Sequence, residues 1–393
     1  MIPKGLFRYD LAIAAIMKCE APYIKEWLDY HLLAGVDHFY IYDNESPDNQ
    51  AEVAKPYVEA GIVDYIPAPG KAMQLVAYND AVNRFKFHCR YMAFIDGDEF
   101  IFPKTGRSIL ETIDEILNTN PNAAALAVHW QTFGSDGQTK ADYSRGVLER
   151  FTKRAPKGWY PNEVVKIIFN PRLVDFIGNP HFAFLLTGYR TIDEAGDFVF
   201  GAHRKSISAD KIVLNHYHCK SREEYSQRAI RGSTYRGNPS KYCETTFNKY
   251  DLNQEFDDGI LKYRAERAKV YQLTNSQRPL LAAVEKVLAE NVADMESLLT
   301  CLAVSHRLHS ADLVEQSLKA ILKVFASKPT LTDLQFLFKS LPDILALKNP
   351  LVADFHGLAI KHIPQLLNSA HSQFNWQRYN ELLYLQRLLK EMI

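Results

Sequence analysis

The sequence predicts an α/β fold, with a doubly wound, mostly parallel sheet followed by an all-helical C-terminal domain. Short apolar runs alternate with helical patterns from residue 11 to residue 95. This alternation is typical of parallel strands joined by helices that cover both faces of a sheet. From about residue 254, strand patterns fade and helical spacing dominates. We therefore expect a sheet domain over 1–250, a connecting helix over 251–274 and a helical domain over 275–393.

Apolar spacing and turn residues predict the elements in order. The first helix has Pro22 near its start, apolar residues every three or four positions and Gly35 after its end, as amphipathic helices do. Serine and glutamate three residues apart form capping boxes that start helices at 108 and 221. Strands are predicted at 11–17, 38–42, 62–66, 91–95, 123–130, 164–169 and 211–214. Helices are predicted from 22, 48, 72, 108 and 221, at 143–153, and in the tail at 256–272, 279–290, 294–308, 311–326, 331–341, 351–367 and 373–392.

Composition and charge exclude several classes of protein. The 393 residues contain 46 Lys+Arg and 46 Asp+Glu, so the formal net charge is zero and no nucleic-acid partner is expected. Five scattered cysteines without a Cys-x-x-Cys pair indicate reduced thiols. The N-terminal residues lack the apolar core of a signal peptide, and no apolar run approaches the ~20 residues that span a bilayer. We therefore expect a cytoplasmic protein, either free or peripheral on the inner membrane face.

A cluster of carboxylates, Asp96-Gly97-Asp98-Glu99, follows the fourth predicted strand. Carboxylate oxygens are the ligands that hard divalent cations prefer. In doubly wound sheets, ligands bind beyond the carboxyl ends of the strands. A second acidic turn begins at Asp43, after the second predicted strand. A solvated turn is the alternative reading at both positions, because Asp and Gly are common turn residues.

Four motifs carry a resemblance to a known family. They are the segment 20–48, which begins Glu-Ala-Pro-Tyr-Ile-Lys-Glu-Trp, the segment Phe94-Ile-Asp-Gly-Asp-Glu-Phe100, the segment Trp130-x-x-Phe-Gly-Ser135, and His216-Tyr217 followed by Lys220-Ser221. In this order they resemble glycosyltransferase family 92 and the related family-2-like transferases, over roughly residues 10–235. One departure is Cys19, where the family usually has Asn before the glutamate, so no contact is carried over to that side chain.

The resemblance implies a GT-A fold and an inverting glycosyltransferase that takes a nucleotide-activated sugar. Members of the family commonly use UDP-galactose with Mn²⁺, so the expected donor is a UDP-sugar and the expected cofactor is Mn²⁺ or Mg²⁺. The expected acceptor is a glycan or a lipid-linked glycan. The missing secretion signal and anchor favour a role in bacterial surface polysaccharide or lipopolysaccharide synthesis. The helical tail is expected to dock a partner chain, a second protomer or the membrane face.

Carried onto this sequence, the family's metal site implies Asp98 as the direct ligand and Asp96 as a contact to the metal or the ribose. His216 and His218 are two residues apart, so on a strand both face the same way. One of them is expected to bind the metal and the other a phosphate or the acceptor. His216 is favoured as the metal ligand because it matches the family's His-Tyr pair. The alternative for both is a hydrogen-bonded core histidine.

The resemblance also implies contacts to the nucleotide. Lys220 and Arg222 are expected to pair with the diphosphate. Asp43 resembles the carboxylate that reads the base or ribose in GT-A enzymes, and the alternative is an Asx-turn. Further contacts to the nucleotide or sugar are expected from Glu20, Gln74 and Asn79.

An inverting mechanism needs a general base on the acceptor hydroxyl, and the sequence leaves its identity open. Asp136 follows the Trp130 motif and is the first candidate, with Asp142 and Glu163 as rivals. Trp130 and Phe133 are candidates for stacking on a sugar ring or for the core.

Three other functions compete. A sugar nucleotidyltransferase would normally carry a glycine-rich phosphate loop, and residues 11–20 contain no glycine. A glycoside hydrolase needs two carboxylates on opposite sides of a sugar bond, and Asp96 and Asp98 are too close in sequence for that. A non-catalytic carbohydrate-binding or scaffold protein is the third alternative.

Overall fold

The computed structural model divides into two compact units. It describes residues 6–231, 243–270, 280–290, 294–307, 311–326, 329–347, 349–372 and 382. The first unit comprises Tyr9–Leu185 and Tyr189–Asn275, and the second comprises Met1–Arg8, Leu186–Gly188 and Ser276–Ile393. All but one residue of the helix predicted at 373–392 lies outside the described residues.

The first unit contains the strands and eight of the helices of the described part of the chain. Its strands are β1 (Tyr9–Met17), β2 (His38–Asp43), β3 (Val63–Pro67), β4 (Cys89–Phe94), β5 (Glu99–Pro103), β6 (Ala123–Thr132), β7 (Lys153–Arg154), β8 (Val165–Phe169), β9 (Val174–Asn179), β10 (Phe182–Leu185), β11 (Arg190–Ile192), β12 (Phe198–Val199), β13 (Ile212–His216) and β14 (Glu255–Phe256). Its helices are α1 (Ala21–Leu33), α2 (Gln50–Glu59), α3 (Gln74–Phe85), α4 (Ile109–Leu117), α5 (Val147–Arg150), α6 (Arg222–Arg231), α7 (Glu244–Tyr250) and α8 (Gly259–Val270).

Ten strands form one mixed, mostly parallel sheet, which confirms the predicted α/β class. Eight follow the order β12-β11-β6-β8-β4-β1-β2-β3, and β13 joins the sheet by pairing with β5 and β6. β1 pairs in parallel with β2 and β4, and β2 with β3. Leu11 and Ile13 of β1 pack in a core that includes Trp27 of α1. Ala12 and Ala14 pack in a second core, with α3. Helices therefore cover both faces, as predicted.

The antiparallel part of the sheet was not visible in the sequence. β8 lies between β4 and β6 and is antiparallel to both. β5 is antiparallel to β13, and β13 is parallel to β6. A central strand is apolar whichever way it runs, so periodicity does not reveal its direction. β5 and the short strands β9 to β12 are missing from the prediction altogether, because runs of two to six residues give little periodicity to detect.

The prediction of a helix over 143–153 is wrong, because only Val147–Arg150 is helical. Asp142 accepts hydrogen bonds from the backbone N (3.1 Å) and hydroxyl (2.6 Å) of Ser144, and this local turn competes with a helix. The helix begins only at Val147, whose backbone N donates to the Glu26 carboxylate across 2.5 Å. A long-range contact therefore sets the start of α5.

Helix α1 fixes the strand that follows the carboxylate cluster. Trp27 Nε1 donates to the carbonyl oxygen of Glu99 (2.9 Å), and the Tyr30 hydroxyl donates to that of Ile101 (2.8 Å). The backbone N of Ile101 donates to Nε2 of His31 across 3.2 Å. Burial lowers the pKa of His31 to about 3, so this ring is neutral and Nε2 is free to accept. The segment 99–101 is thus held by side chains of α1.

The capping box at Ser108 is confirmed and gives a first testable expectation. Glu111 N donates to Ser108 Oγ (3.1 Å), and Ser108 N donates to the Glu111 carboxylate (2.8 Å). Ser108→Ala should lower the free energy of unfolding by about 1 kcal/mol, because one helix N–H loses its acceptor. Urea unfolding measures this. Ser206→Ala, in an exposed bend, should change stability by less than about 0.5 kcal/mol; equal losses in the two variants would contradict the capping role.

The second unit is helical, as predicted. Its helices are α9 (Leu280–Ala289), α10 (Met295–Arg307), α11 (Ala311–Ala326), α12 (Leu331–Leu345) and α13 (Val352–Ser372). Among the described residues, none of the helices combines the length and the apolar character needed to cross a bilayer.

Candidate active site

The topology of the sheet brings two distant segments to one edge. β4 is antiparallel to β8, β8 is antiparallel to β6, and β6 is parallel to β13. β4 and β13 therefore point the same way, and both carboxyl ends lie at the same edge. His216 ends β13 and pairs with Glu99 across the β5–β13 ladder. Tyr217 N donates to the carbonyl oxygen of Asp98 across 2.9 Å, which fixes the histidine segment beside the carboxylate cluster.

Asp98, His216 and His218 form a group that could hold a metal ion. Each offers one ligand atom, and these atoms all lie within 4.8 Å of one another. All three side chains are buried, and His216 Nε2 lies 3.5 Å from Asp98 Oδ2. His216 Nδ1 is buried with no hydrogen-bond partner among the described residues. A carboxylate and two imidazoles converging in this way are a donor set that divalent transition metals accept.

The electrostatics of the group keep Asp98 and His216 in the protonation states that bind cations. Burial alone would raise the pKa of Asp98, but Arg228 and then His216 hold it well below its usual range. Burial lowers the pKa of His216, and the nearby Asp98 offsets only part of this. Asp98 is therefore ionised and His216 neutral near pH 7, which are the forms that coordinate a metal.

Asp96 has different partners from Asp98. Its Oδ2 lies 3.0 Å from the ammonium of Lys166, and its Oδ1 accepts from Gln74 Nε2 across 2.9 Å. About a third of its side chain, 33%, is exposed, whereas Lys166 is 1% exposed. Burial raises the pKa of Asp96, but Lys166 outweighs this and lowers it. Asp96 is thus held by a buried lysine, and Gln74 supports it instead of pointing away to a ligand.

Glu99 completes this buried network. Its Oε2 accepts from the backbone N of Asp96 (2.7 Å) and lies 3.5 Å from Lys166 Nζ, while its Oε1 accepts from Trp130 Nε1 (2.7 Å). Trp130 is half-buried, and its ring lies 4.2 Å from that of His216. Glu99 therefore fixes Trp130 against His216 of the candidate metal-binding group.

Phe133 is fully buried against Tyr217, so it is a core residue.

A cavity of about 420 Å³ opens beside the group of Asp98, His216 and His218. Its lining includes four cationic or imidazole side chains: Lys18, His218, Lys220 and Arg228. Lys220 Nζ lies 3.9 Å from the centre of the Tyr23 ring and 4.0 Å from Oε2 of Glu20. The lining also includes Glu224, whose carboxylate is paired with Arg150. The remaining charged side chains of the lining are cationic and suit an anion, and phosphate groups are the anions that lysine and arginine commonly bind.

Glu20 lies close to the carboxylate turn. A Cβ placed on Gly97 would lie 3.3 Å from Cγ of Glu20, a tighter contact than side chains usually make. Glycine at 97 therefore lets the turn approach Glu20 and the end of β1. This places Glu20 and Lys220 next to the predicted metal residues.

Three other residues predicted to contact the nucleotide have partners within the protein instead. Asp43 Oδ1 accepts from Ser46 N (3.2 Å), which is the Asx-turn alternative. Asn79 exchanges two hydrogen bonds with the backbone of Ile177, both of 2.9 Å, so its amide is committed to strand β9. Arg222 forms an ion pair with Glu244 and is not among the residues that line the cavity.

The candidate general bases do not converge on the group that Asp98 forms. The Asp136 carboxylate accepts from the backbone and hydroxyl of Thr152 (3.1 and 3.0 Å) and from Lys153 N (2.8 Å), which is a structural turn. Asp142 is exposed, and hydrogen bonds from Ser144 lower its pKa. Glu163 ends a short 3₁₀ turn. None of the three lines the cavity.

Lys166, Arg228 and Lys18 are residues of the site that sequence reasoning missed. Lys166 could have been found from the sequence, because it interrupts the apolar run 164–169. A buried lysine almost always has an acidic partner. Lys18 follows β1, at the edge where ligands bind. Nothing in the local spacing marks Arg228, which meets Asp98 across 130 residues of chain.

A sheet with a carboxylate–histidine group beside a cationic cavity, at the carboxyl ends of its strands, agrees with the glycosyltransferase class that the resemblance implied. The comparison with known families confirms that class. The family model described as glycosyltransferase family 92 matches residues 17–255, which is more than half of the chain. The chain therefore belongs to glycosyltransferase family 92.

The chain is also similar to individual proteins. A glycosyltransferase family 92 protein of Ricinus communis is 26% identical over 232 residues, covering 58% of this chain and 39% of that protein. The galactan β-1,4-galactosyltransferase GALS3 of Arabidopsis thaliana is 28% identical over 105 residues, covering 23% of this chain and 21% of that protein. The solved structure of S. aureus TarS 1–349 is 14% identical with a TM-score of 0.30, covering 80% of this chain and 91% of that one. The chain thus spans well under half the length of the curated relatives named here.

Proposed function

We propose that this chain transfers a sugar from a UDP-sugar to a glycan acceptor, with inversion at the anomeric carbon and with Mn²⁺ or Mg²⁺ held by Asp98, His216 and His218. The observation that carries the proposal is the position of this buried group beside a cavity lined by Lys18, Lys220 and Arg228. Family membership supports the reaction class. A cation site and an anion site side by side are what a nucleoside diphosphate requires.

Different residues of the chain are proposed to bind different parts of the donor. A divalent cation, when bound, offsets the charge that grows on the leaving diphosphate. Lys220 and Lys18 are positioned to pair with the phosphates in the cavity. Asp96, oriented by Lys166 and Gln74 and 33% exposed, is proposed to contact the ribose. The carboxylates of Asp96 and Asp98 thus take different tasks.

The donor set favours Mn²⁺ over Mg²⁺. Mg²⁺ prefers oxygen ligands and water, whereas imidazole nitrogens suit the transition metals. Two of the three side chains in the group are histidines. We therefore expect activity with Mn²⁺ to exceed that with Mg²⁺ at equal concentration.

Galactose is the proposed donor sugar. The name of the Arabidopsis relative, a galactan β-1,4-galactosyltransferase, supports this choice. The relatives named above are plant proteins, so the acceptor is proposed as a glycan without a bacterial pathway attached.

Calorimetry of UDP binding tests the proposal. UDP should bind at least about tenfold more tightly with Mn²⁺ than with EDTA, because the cation bridges protein and diphosphate. A panel of UDP-sugars should be hydrolysed slowly to UDP without acceptor, with UDP-galactose the best substrate. Equal UDP affinity with Mn²⁺ and with EDTA, together with no hydrolysis of any UDP-sugar, would contradict the proposal. Release of pyrophosphate from a nucleoside triphosphate would indicate a nucleotidyltransferase instead.

A further inference from the structure

Arg228 provides the cation that contacts Asp98 in this structure. Its Nη1 forms an ion pair with Asp98 Oδ2 and donates to the carbonyl oxygen of His218 across 3.3 Å. The same Oδ2 lies 3.5 Å from Nε2 of His216. The guanidinium therefore contacts two of the three residues of the candidate metal group and shares an oxygen with the third.

We propose that Arg228 is an exchangeable counter-ion of the metal site. It neutralises Asp98 before the cation binds, and it pairs with the diphosphate of the donor afterwards. This inference rests on the proposed function and assigns it a further positioning residue.

Burial explains why Asp98 needs a partner in the metal-free protein. Only 4% of its side chain is exposed, so water does not solvate its charge, and a buried carboxylate without a partner is strongly destabilising. Arg228 supplies that partner. A divalent cation at the same carboxylate would meet a like charge at ion-pair distance, and like charges so close repel strongly in a poorly solvated site. The two cations therefore compete for Asp98.

The cavity offers the Arg228 side chain a second position. Its side chain is 18% exposed and lines the cavity that also contains Lys18 and Lys220. A guanidinium leaving Asp98 can turn into this cavity without crossing the core. Its planar fork matches the oxygen pairs of a phosphate, so a bound diphosphate is a suitable second partner.

The helix that carries Arg228 is anchored independently of this contact. In α6, Glu224 accepts hydrogen bonds from Arg150 (3.0 and 2.6 Å), from Ser221 Oγ (2.5 Å) and from the Tyr23 hydroxyl (2.8 Å). Both members of the Arg150–Glu224 pair are 1% exposed. The exchange therefore requires a rotation of the Arg228 side chain, while the first turn of the helix stays in place.

The exchange predicts cooperative binding. Mn²⁺ alone must displace Arg228 from Asp98, so it should bind weakly. UDP offers Arg228 a new partner and should strengthen Mn²⁺ binding, and by thermodynamic linkage Mn²⁺ should strengthen UDP binding by the same factor. Without Arg228 the competition and much of this coupling disappear.

Arg228→Gln tests this inference. The affinity for Mn²⁺ is measured with and without saturating UDP, by calorimetry and by the EPR signal of free Mn²⁺. In the R228Q variant, Mn²⁺ alone should bind about tenfold more tightly than in the wild type, and the gain from UDP should shrink by a similar factor. Arg107→Gln is the matched control, since it removes the same charge from an exposed pair with Glu115. It should leave both affinities unchanged.

A second variant, Arg228→Met, keeps helix propensity and side-chain length without the charge. Both variants should be less stable than the wild type without metal and recover with Mn²⁺, because the ion replaces the lost charge. Failure of both to fold even with Mn²⁺ would overturn the inference. Unchanged Mn²⁺ affinity in folded variants would overturn it too, while a wild type that binds Mn²⁺ and UDP leaves the proposed function standing. A wild type that binds neither would overturn both.

Discussion

Asp98→Asn is expected to abolish Mn²⁺ binding and to reduce sugar transfer by about 100- to 1,000-fold. The amide keeps the shape of the side chain but removes the negative charge of the group formed with His216 and His218. Metal stabilisation of a leaving diphosphate is worth several kcal/mol, and each 1.4 kcal/mol corresponds to about a factor of ten in rate. Calorimetric titration with Mn²⁺ and steady-state release of UDP from UDP-galactose measure the two effects.

The fold should survive this substitution, so the loss can be assigned to the site. Arg228 loses its carboxylate but keeps the carbonyl oxygen of His218 as an acceptor, and its side chain is 18% exposed. Asp210→Asn is the control, because that carboxylate is 81% exposed and pairs with Lys157 at the surface. It should retain wild-type turnover. A D98N variant with Mn²⁺-dependent turnover within about threefold of wild type would show that Asp98 does not bind the catalytic metal.

The parallel half of the sheet could be predicted because its signals are local. The run 11–17 is apolar, Gly35 follows the first helix, and turn residues follow the second strand, so each element is defined within a few residues. Apart from Lys166, the antiparallel strand β8 is as apolar as a buried parallel strand. Its direction depends on pairing with β4 and β6, which are distant in sequence. Local patterns contain no information on that pairing.

The same limit divides the predicted site. Asp98, His216 and His218 could be proposed because they lie in short motifs that resemble those of the family, and the structure groups them. The cations that hold these carboxylates come from other segments: Arg228 reaches Asp98 and Lys166 reaches Asp96. Only the fold shows which charges meet.

Two polar residues that were candidates for chemistry instead satisfy backbone groups. Asn79 bonds strand β9, and Asp136 accepts from Thr152 and Lys153. Backbone N–H and C=O groups need partners as much as a ligand does, and polar side chains beside turns commonly provide them. A sequence does not distinguish the two uses.

Lys166→Met is expected to destabilise the protein by about 3–5 kcal/mol, the usual loss when one member of a buried ion pair is removed. Lys166 is 1% exposed, with Nζ 3.0 Å from Asp96 and 3.5 Å from Glu99. Burial alone would lower its pKa, but the two carboxylates raise it above the ordinary value, so the lysine is charged throughout the neutral range. Removing it leaves two carboxylates close together without a cation.

The pH dependence of this loss identifies its cause. In the wild type the pKa of Lys166 is raised, so the contribution of Lys166 to stability is complete below the ordinary lysine pKa. The pKa of Asp96 is lowered, so the contribution of Asp96 to stability is complete above the ordinary carboxyl pKa. Neither should change between pH 5 and pH 8. In the K166M variant Asp96 loses its cation, so its folded-state pKa should rise above the unfolded one. The pKa of Glu99, which burial already raises to about 8 in the wild type, should rise further. Stability gained by their protonation is then lost as pH increases, and the difference from wild type should be larger at pH 8 than at pH 5.

Urea unfolding at both pH values, with Lys157→Met as the control, measures this. Lys157 pairs with Asp210 at the surface and is 47% exposed, so its loss should be below about 1 kcal/mol and independent of pH over this range. A loss of about 1 kcal/mol or less in the K166M variant, equal at both pH values, would show that the carboxylates do not depend on Lys166. The expected result would establish that Lys166 of β8 stabilises Asp96 and Glu99 at the turn between β4 and β5. Asp98, and not Asp96, is then the carboxylate available to an incoming cation.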